Sequence, residues 1–82
     1  MARHEVISPI PGTLYRRPDP DSDPFVEEGQ EVKADDTVCL VEVMKNFHPV
    51  NAGVAGTVVE FLVETDDEVS AGQAVAVIED GT

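Results

Sequence analysis

The sequence predicts an all-β chain folded as a compact sandwich or flattened barrel of two small antiparallel sheets. Three observations carry this. Val, Ile, Thr and Phe cluster in short runs separated by Gly, Pro and Asp. No window shows a helical period with caps. The chain also repeats itself: EGQEVKADDTVCLVE (28–42) reads against TDDEVSAGQAVAVIE (65–79). Val32, Ala34, Val38 and Glu42 stand 37 positions ahead of Val69, Ala71, Val75 and Glu79. Upstream, IPGT (10–13) matches VAGT (54–57) at an offset of 44. Neither half buries its own apolar face alone, so the halves are expected to pack on one another with pseudo-twofold symmetry.

The elements follow in order. Strands are expected at 5–8 (EVIS), 12–16 (GTLYR), 38–43 (VCLVEV), 47–51 (FHPVN), 55–62 (AGTVVEFL) and 74–79 (AVAVIE), with short extended pieces around 25–26, 32 and 69. His4, ahead of the first, is expected to be terminal and mobile. Gly12 and Gly56 occupy equivalent places, which either a packing site or a positive-φ turn explains. Gly29 and Asp66 align in acidic turns, where Asp tolerates left-handed backbone better than most residues. In 38–43, Val38 and Leu40 share one face while Cys39, Val41 and Val43 share the other. That fits a strand buried on both sides, or one carrying a bulge. Pro49 inside 47–51 implies an edge strand or a bulge, and Phe47 reads as a packing residue. The two offsets differ by seven, so the first half carries seven extra residues, which fall within RRPDPDSDPF (16–25).

Composition narrows the function classes. The 82 residues carry seventeen acidic and five basic side chains, a formal net charge of −12. Nucleic acid and anionic membranes need clustered positive charge and are excluded as partners, and such a chain repels copies of itself, which predicts a monomer in isolation. No apolar run reaches membrane-span length, and MARHEVIS does not resemble a signal peptide. The single cysteine allows no internal disulfide, so the cytoplasm is the expected compartment. His4 and His48 are far apart and Cys39 falls in a strand, so no metal site is expected. Cys39 reads as a core thiol and His48 as a hairpin surface residue. Ser8, Ser22 and Ser70 open no helix, which argues against acyl carriage on serine.

Met44 and Lys45 separate two strands and form a candidate two-residue hairpin turn. Neither is a preferred turn residue; Asn and Gly are. Local propensity is violated there, and such violations cluster at functional positions. A solvated lysine amine is almost wholly protonated near neutral pH, so Lys45 is a poor nucleophile unaided and a good substrate for another enzyme. On these residues alone, modification and a plain solubilising lysine stand level. Lys33, the other lysine, lies in EVKADD.

VEVMK (41–45) resembles the biotin attachment motif, whose usual form is Glu-Ala-Met-Lys. SPIPGTLYRRPDPDSDPFVEEGQEV (8–32) and AGTVVEFLVETDDEVSAGQAVAVIE (55–79) resemble the two halves of the biotin carboxyl carrier proteins of bacterial acetyl-CoA carboxylases, within the biotinyl/lipoyl attachment family. The resemblance covers about residues 6–80. It implies one biotinyl domain over 1–82: a flattened barrel of two four-stranded antiparallel sheets, with covalent biotin on Lys45 at a hairpin tip and the chain ends together at the far end. It implies a thumb at 17–25, which includes Ser22, where Pro18, Pro20 and Pro24 restrict the loop, Asp19, Asp21 and Asp23 keep it wet, and Phe25 anchors its return; a tolerated surface insertion is the alternative. The implied partners are a biotin protein ligase that loads Lys45, a biotin carboxylase subunit and a carboxyltransferase subunit that acts on an acyl-CoA, with acetyl-CoA the first expectation. The domain itself would be a non-catalytic carrier. Met44, Glu42, Val43 and Asn46 would frame the lysine for the ligase, although the repeat mate Glu79 gives Glu42 an equal structural reading. Val43 and Asn46 depart from the common motif and bear on ligase efficiency. A lipoyl carrier of a 2-oxoacid dehydrogenase complex shares the fold, but its usual Asp-Lys-Ala differs on both sides of Lys45. The other alternative is an unmodified interaction module.

Overall fold

The computed structural model describes residues 2–19 and 21–80. Its strands are β1 (Ala2–Ile7), β2 (Gly12–Tyr15), β3 (Glu31–Val32), β4 (Thr37–Val43), β5 (Asn46–Asn51), β6 (Gly56–Phe61), β7 (Glu68–Val69) and β8 (Ala74–Asp80). They form two four-stranded sheets, ordered β1-β8-β6-β3 and β5-β4-β2-β7, with every pairing antiparallel. Exchanging β1 with β5, β2 with β6, β3 with β7 and β4 with β8 turns the first order into the second. The duplication in the sequence is therefore a pseudo-twofold in space.

The symmetry reaches individual hydrogen bonds. Asp66 N donates to Leu14 O at 2.8 Å, and its repeat mate Gly29 N donates to Val58 O at 2.6 Å. Both donors have positive φ, 74° for Asp66 and 92° for Gly29. Four turns are closed by a side-chain oxygen accepting from the backbone three residues earlier. Glu27 N donates to Gln30 and Glu64 N to Asp67, which are mates; so are Lys33 N to Asp36 and Ser70 N to Gln73. Part of the acidity is thus turn chemistry.

The core obeys the same relation. Leu14 and Val58, Val38 and Val75, Val41 and Ile78, Cys39 and Ala76 are mates, and all eight are fully buried. Register shifts leave Val38 unpaired in β4 against β5, and Val75 unpaired in β8 against β1. These bulges turn Val38 and Val75 into the core beside their neighbours, so the strand 37–43 is bulged as well as largely buried. Gly12 and Gly56 are packing positions: a Cβ would run into the carbonyl oxygen of Glu42 and of Glu79 respectively. Pro49 lies on β5 at a sheet edge, where its missing N–H breaks no ladder.

Three expectations are corrected. Residues 25–26 are not a strand; Phe25 N donates to Arg16 O at 2.9 Å and closes the base of a loop. β1 starts at Ala2 rather than residue 5, because Ala2, Arg3 and His4 pair with Asp80, Glu79 and Ile78. His4 is accordingly not loose: its Nε2 lies 2.7 Å from Asp80 Oδ2.

Candidate functional site

The hairpin β4–β5 joins the two halves. Val43 pairs with Asn46, which leaves Met44 and Lys45 as the whole turn. Both have positive φ, 51° and 68°, as a two-residue turn matched to strand twist requires. For residues with a Cβ this conformation costs roughly 1–2 kcal/mol each. The flanking strand pairs hold the turn in place, and Val43 packs against the core just behind it. Met44 is 89% exposed. Lys45 and Asn46 are also exposed, and among the described residues no ion pair or hydrogen bond is recorded for the Lys45 ammonium. Lys33 sits in an ordinary turn whose backbone N–H is taken by Asp36 Oδ2 at 2.8 Å.

Glu42 faces away from the core, one residue before Val43. Tyr15 Oη donates to its Oε1 at 3.0 Å. That bond, and the negative charge behind it, hold the Tyr15 phenol above its ordinary value. Phe47 stands opposite Glu42 on β5, with its ring centroid 6.0 Å from that of Tyr15 and tilted by 53°. Phe47, expected as a packing residue, packs on Tyr15 but on the outer face of the sheet, where it is 55% exposed.

Beside this trio lies the loop that follows β2. Asp19 organises its tip, accepting from Asp21 N at 2.9 Å and from Ser22 Oγ at 2.8 Å through its carboxylate. Asp21 and Asp23 are exposed, while Ser22, Pro24 and Phe25 are half-buried; Pro20 lies outside the described residues. Arg16 ties the loop base to the second half of the chain. Its guanidinium carbon sits 3.9 Å from the Phe61 ring centroid, its Nη1 lies 3.6 Å from Glu64, and its backbone N donates to Thr65 Oγ1 at 3.1 Å. A groove of about 390 Å³ runs between loop and sheet, lined by Tyr15, Glu42 and Phe47 on one side, Arg17, Pro18 and Asp19 on another, and Thr65 and Asp66 at its end.

The structure therefore brings Glu42, Pro18 and Asp19 to one groove on the outer face of the β4–β5 hairpin, and leaves the turn residues Met44 and Lys45, their flanks Val43 and Asn46, and Asp21, Ser22, Asp23, Pro24 and Phe25 of the loop, outside its lining. Sequence reasoning missed Tyr15, Arg16 and Arg17, which belong to no short motif. Cys39 is wholly buried, and burial pushes its thiol up to about 12, partly offset by Arg16. His48 is exposed on β5. Among the described residues, no helix is long and apolar enough to cross a membrane.

The chain is similar to known proteins over most of its length. Residues 4–78 match the family model described as biotin-requiring enzyme. Over 74 residues the chain is 40% identical to the biotin carboxyl carrier protein of acetyl-CoA carboxylase from Pyropia yezoensis, covering 90% of this chain and 47% of that protein. Over 68 residues it is 46% identical to the protein of the same name from Pseudomonas aeruginosa, covering 83% of this chain and 44% of that one. The chain thus spans about half the length of the curated relatives it matches. Among solved structures, the urea carboxylase of Kluyveromyces lactis superposes with a TM-score of 0.81 at 30% identity, covering 96% of this chain and 6% of that one. A single-chain, multi-domain long-chain acyl-CoA carboxylase shares the fold, with a TM-score of 0.79 at 22% identity over 98% of this chain and 7% of that one.

Proposed function

Since this chain belongs to the family of biotin-requiring enzymes, we propose that it is a biotin carboxyl carrier and that Lys45 is the residue that holds biotin. The observation that carries the reading is the turn itself: two non-glycine residues held left-handed so that one unpartnered amine stands clear of the sheets. Those residues fit the group. An amide on Lys45 Nζ removes one charge that no described neighbour neutralises, so attachment disturbs no ion pair in the fold. When bound, biotin takes up a carboxyl group at one enzyme and gives it up at another.

The chain's own part is mechanical. Val43 anchors the turn to the core, and the ladder of β4 against β5 fixes the direction in which Lys45 leaves the sheets. Anchorage at a defined apex raises the local concentration of the carried group at each enzyme it visits. Tyr15 holds the Glu42 carboxylate still beside the turn, which supports Glu42, Met44, Val43 and Asn46 as the surface a ligase reads. The loop at 17–25, with Pro18 and Asp19 in the same groove as Glu42, is the thumb of this reading. No step of bond making falls to these residues, so the domain is a carrier and not a catalyst. The proposed partners are a biotin protein ligase, a biotin carboxylase and a carboxyltransferase. The names of the relatives point to acetyl-CoA as the acceptor; malonyl-CoA for fatty acid synthesis as product, and the cytoplasm as compartment, complete the proposed reading.

The test is Lys45→Arg. The variant should fold as the wild type does and gain no mass when incubated with biotin, ATP and a biotin protein ligase, while the wild type gains one biotin. Labelling of the variant, or of Lys33 in the wild type, refutes the assignment.

A further inference from the structure

The duplication gives every outward position on one sheet a mate on the other. Across β1, β8 and β6, two outward rows read Arg3–Glu79–Thr57 and Glu5–Val77–Glu60. The corresponding rows across β5, β4 and β2 read Phe47–Glu42–Thr13 and Pro49–Leu40–Tyr15; Tyr15 falls opposite Glu60 in register although its mate at the offset of 44 is Val59, because β6 bulges between Val58 and Glu60. Buried Val41, Cys39, Val50 and Leu14 alternate with the latter rows, so these side chains face away from the core. Glu and Thr are kept at their two places. Arg3 and Glu5 are exchanged for Phe47 and Pro49, and Tyr15 stands against Leu40 where the bulged β6 sets Glu60 against Val77. The fold does not require this exchange, since the same backbone positions carry charge on the first sheet. Yet Phe47 is more than half exposed, Pro49 is exposed, and they adjoin half-buried Leu40 and Tyr15. An aromatic patch that the architecture does not need, on a chain of net charge −12, marks a contact surface.

We propose that the outer face of β5, β4 and β2 is where the enzyme that loads Lys45 docks, with Phe47 and Tyr15 as its anchors; this rests on the reading of Lys45 as the attachment residue. Position argues for that occupant. Phe47 follows Lys45 by two residues, so an enzyme that draws the bare amine into its active site must approach within one lysine side chain of the turn and cover this face. Enzymes that meet only the far end of a long tether need not. Charge fixes the partner's character. The rim of the groove carries Glu42, Asp19 and Asp66 against Arg17, so the complementary surface is an apolar ridge bordered by Lys and Arg.

The test transplants the charged mates onto the proposed face. Phe47→Arg with Pro49→Glu should fold, because Arg3 and Glu5 occupy the same places in the other sheet; thermal unfolding checks this. Loading is followed by mass with a purified biotin protein ligase, biotin and ATP. The double variant should raise KM for the carrier about tenfold or more, the effect of losing one anchor residue, with little change in kcat. Arg3→Phe, on the opposite sheet, should behave as the wild type. The wild-type KM should also rise with ionic strength. An unchanged KM in the double variant overturns the proposal, as does a normal KM combined with impaired carboxyl transfer, which would give the face to another enzyme. A wild type that is never loaded overturns the Lys45 assignment itself, so the two failures are distinct.

Discussion

Met44 and Lys45 occupy the least favourable backbone in the described chain for their residue types, and their neighbour Asn46 is of a type that accepts it. Met44→Asn should therefore stabilise the fold by about 0.5–1 kcal/mol, and on the proposed function it should do so at the expense of loading. Chemical denaturation and loading kinetics measure the two sides. Gly12 and Gly56 make the complementary case. An alanine at either meets a carbonyl oxygen of the neighbouring strand. Each substitution should destabilise by about 1–3 kcal/mol, and by similar amounts because the sites are mates. Cys39 supplies a pH signature. Its thiol sits at about 12 in the fold against an ordinary 9.0. Between those values the unfolded chain has released a proton that the folded chain keeps, so stability is full below about 9 and falls as pH rises toward 12. Tyr15 is shifted in the same direction, so the difference between wild type and Cys39→Val, titrated by denaturant, isolates the thiol. Lys45 was legible in the sequence through Met-Lys between two apolar runs. Tyr15 and Phe47 were not, because each is ordinary strand composition. Only cross-strand register sets them against Glu60 and Arg3 and shows what was exchanged.

At the scale of elements, the strands rich in β-branched residues were legible to within a residue or so: 38–43 against Thr37–Val43, 74–79 against Ala74–Asp80. Failures fell where pairing overrides composition. Ala2–Glu5 has little β propensity and is drawn into β1 by its ladder with β8. Phe25 and Val26 have ample propensity and form no strand, because Phe25 N–H is spent on Arg16 O at the neck of the loop. That neck, with Arg16 against Phe61 and Glu64, makes the loop separable from the barrel. Deleting 18–24 should leave the cooperative unfolding transition in place while impairing coupled carboxylation in a reconstituted system. Wild-type turnover by the deletion protein would reduce the loop to a surface insertion.

For the whole molecule, the duplication explains both the architecture and the economy of the site. Two copies of a four-strand unit share one core, and the crossing from the first copy to the second is the hairpin that presents Lys45. The symmetry was legible because mates kept Val, Ala, Gly and Glu at constant offsets. The asymmetry between the two outer faces was not, because it resides in which mates differ once the sheets are assembled. The net charge of −12 does two things at this scale: some carboxylates close turns, and the remainder keep copies of the chain apart and favour basic partners.

One covalent bond, between biotin and Lys45 Nζ, underlies the proposed function. Peptide mapping by mass of the protein expressed in a cell with an active biotin protein ligase tests it most directly. One biotin on the peptide containing Lys45, with Lys33 bare, is the predicted result. A chain that stays unmodified in excess biotin and ATP, or that carries biotin on Lys33, would contradict it.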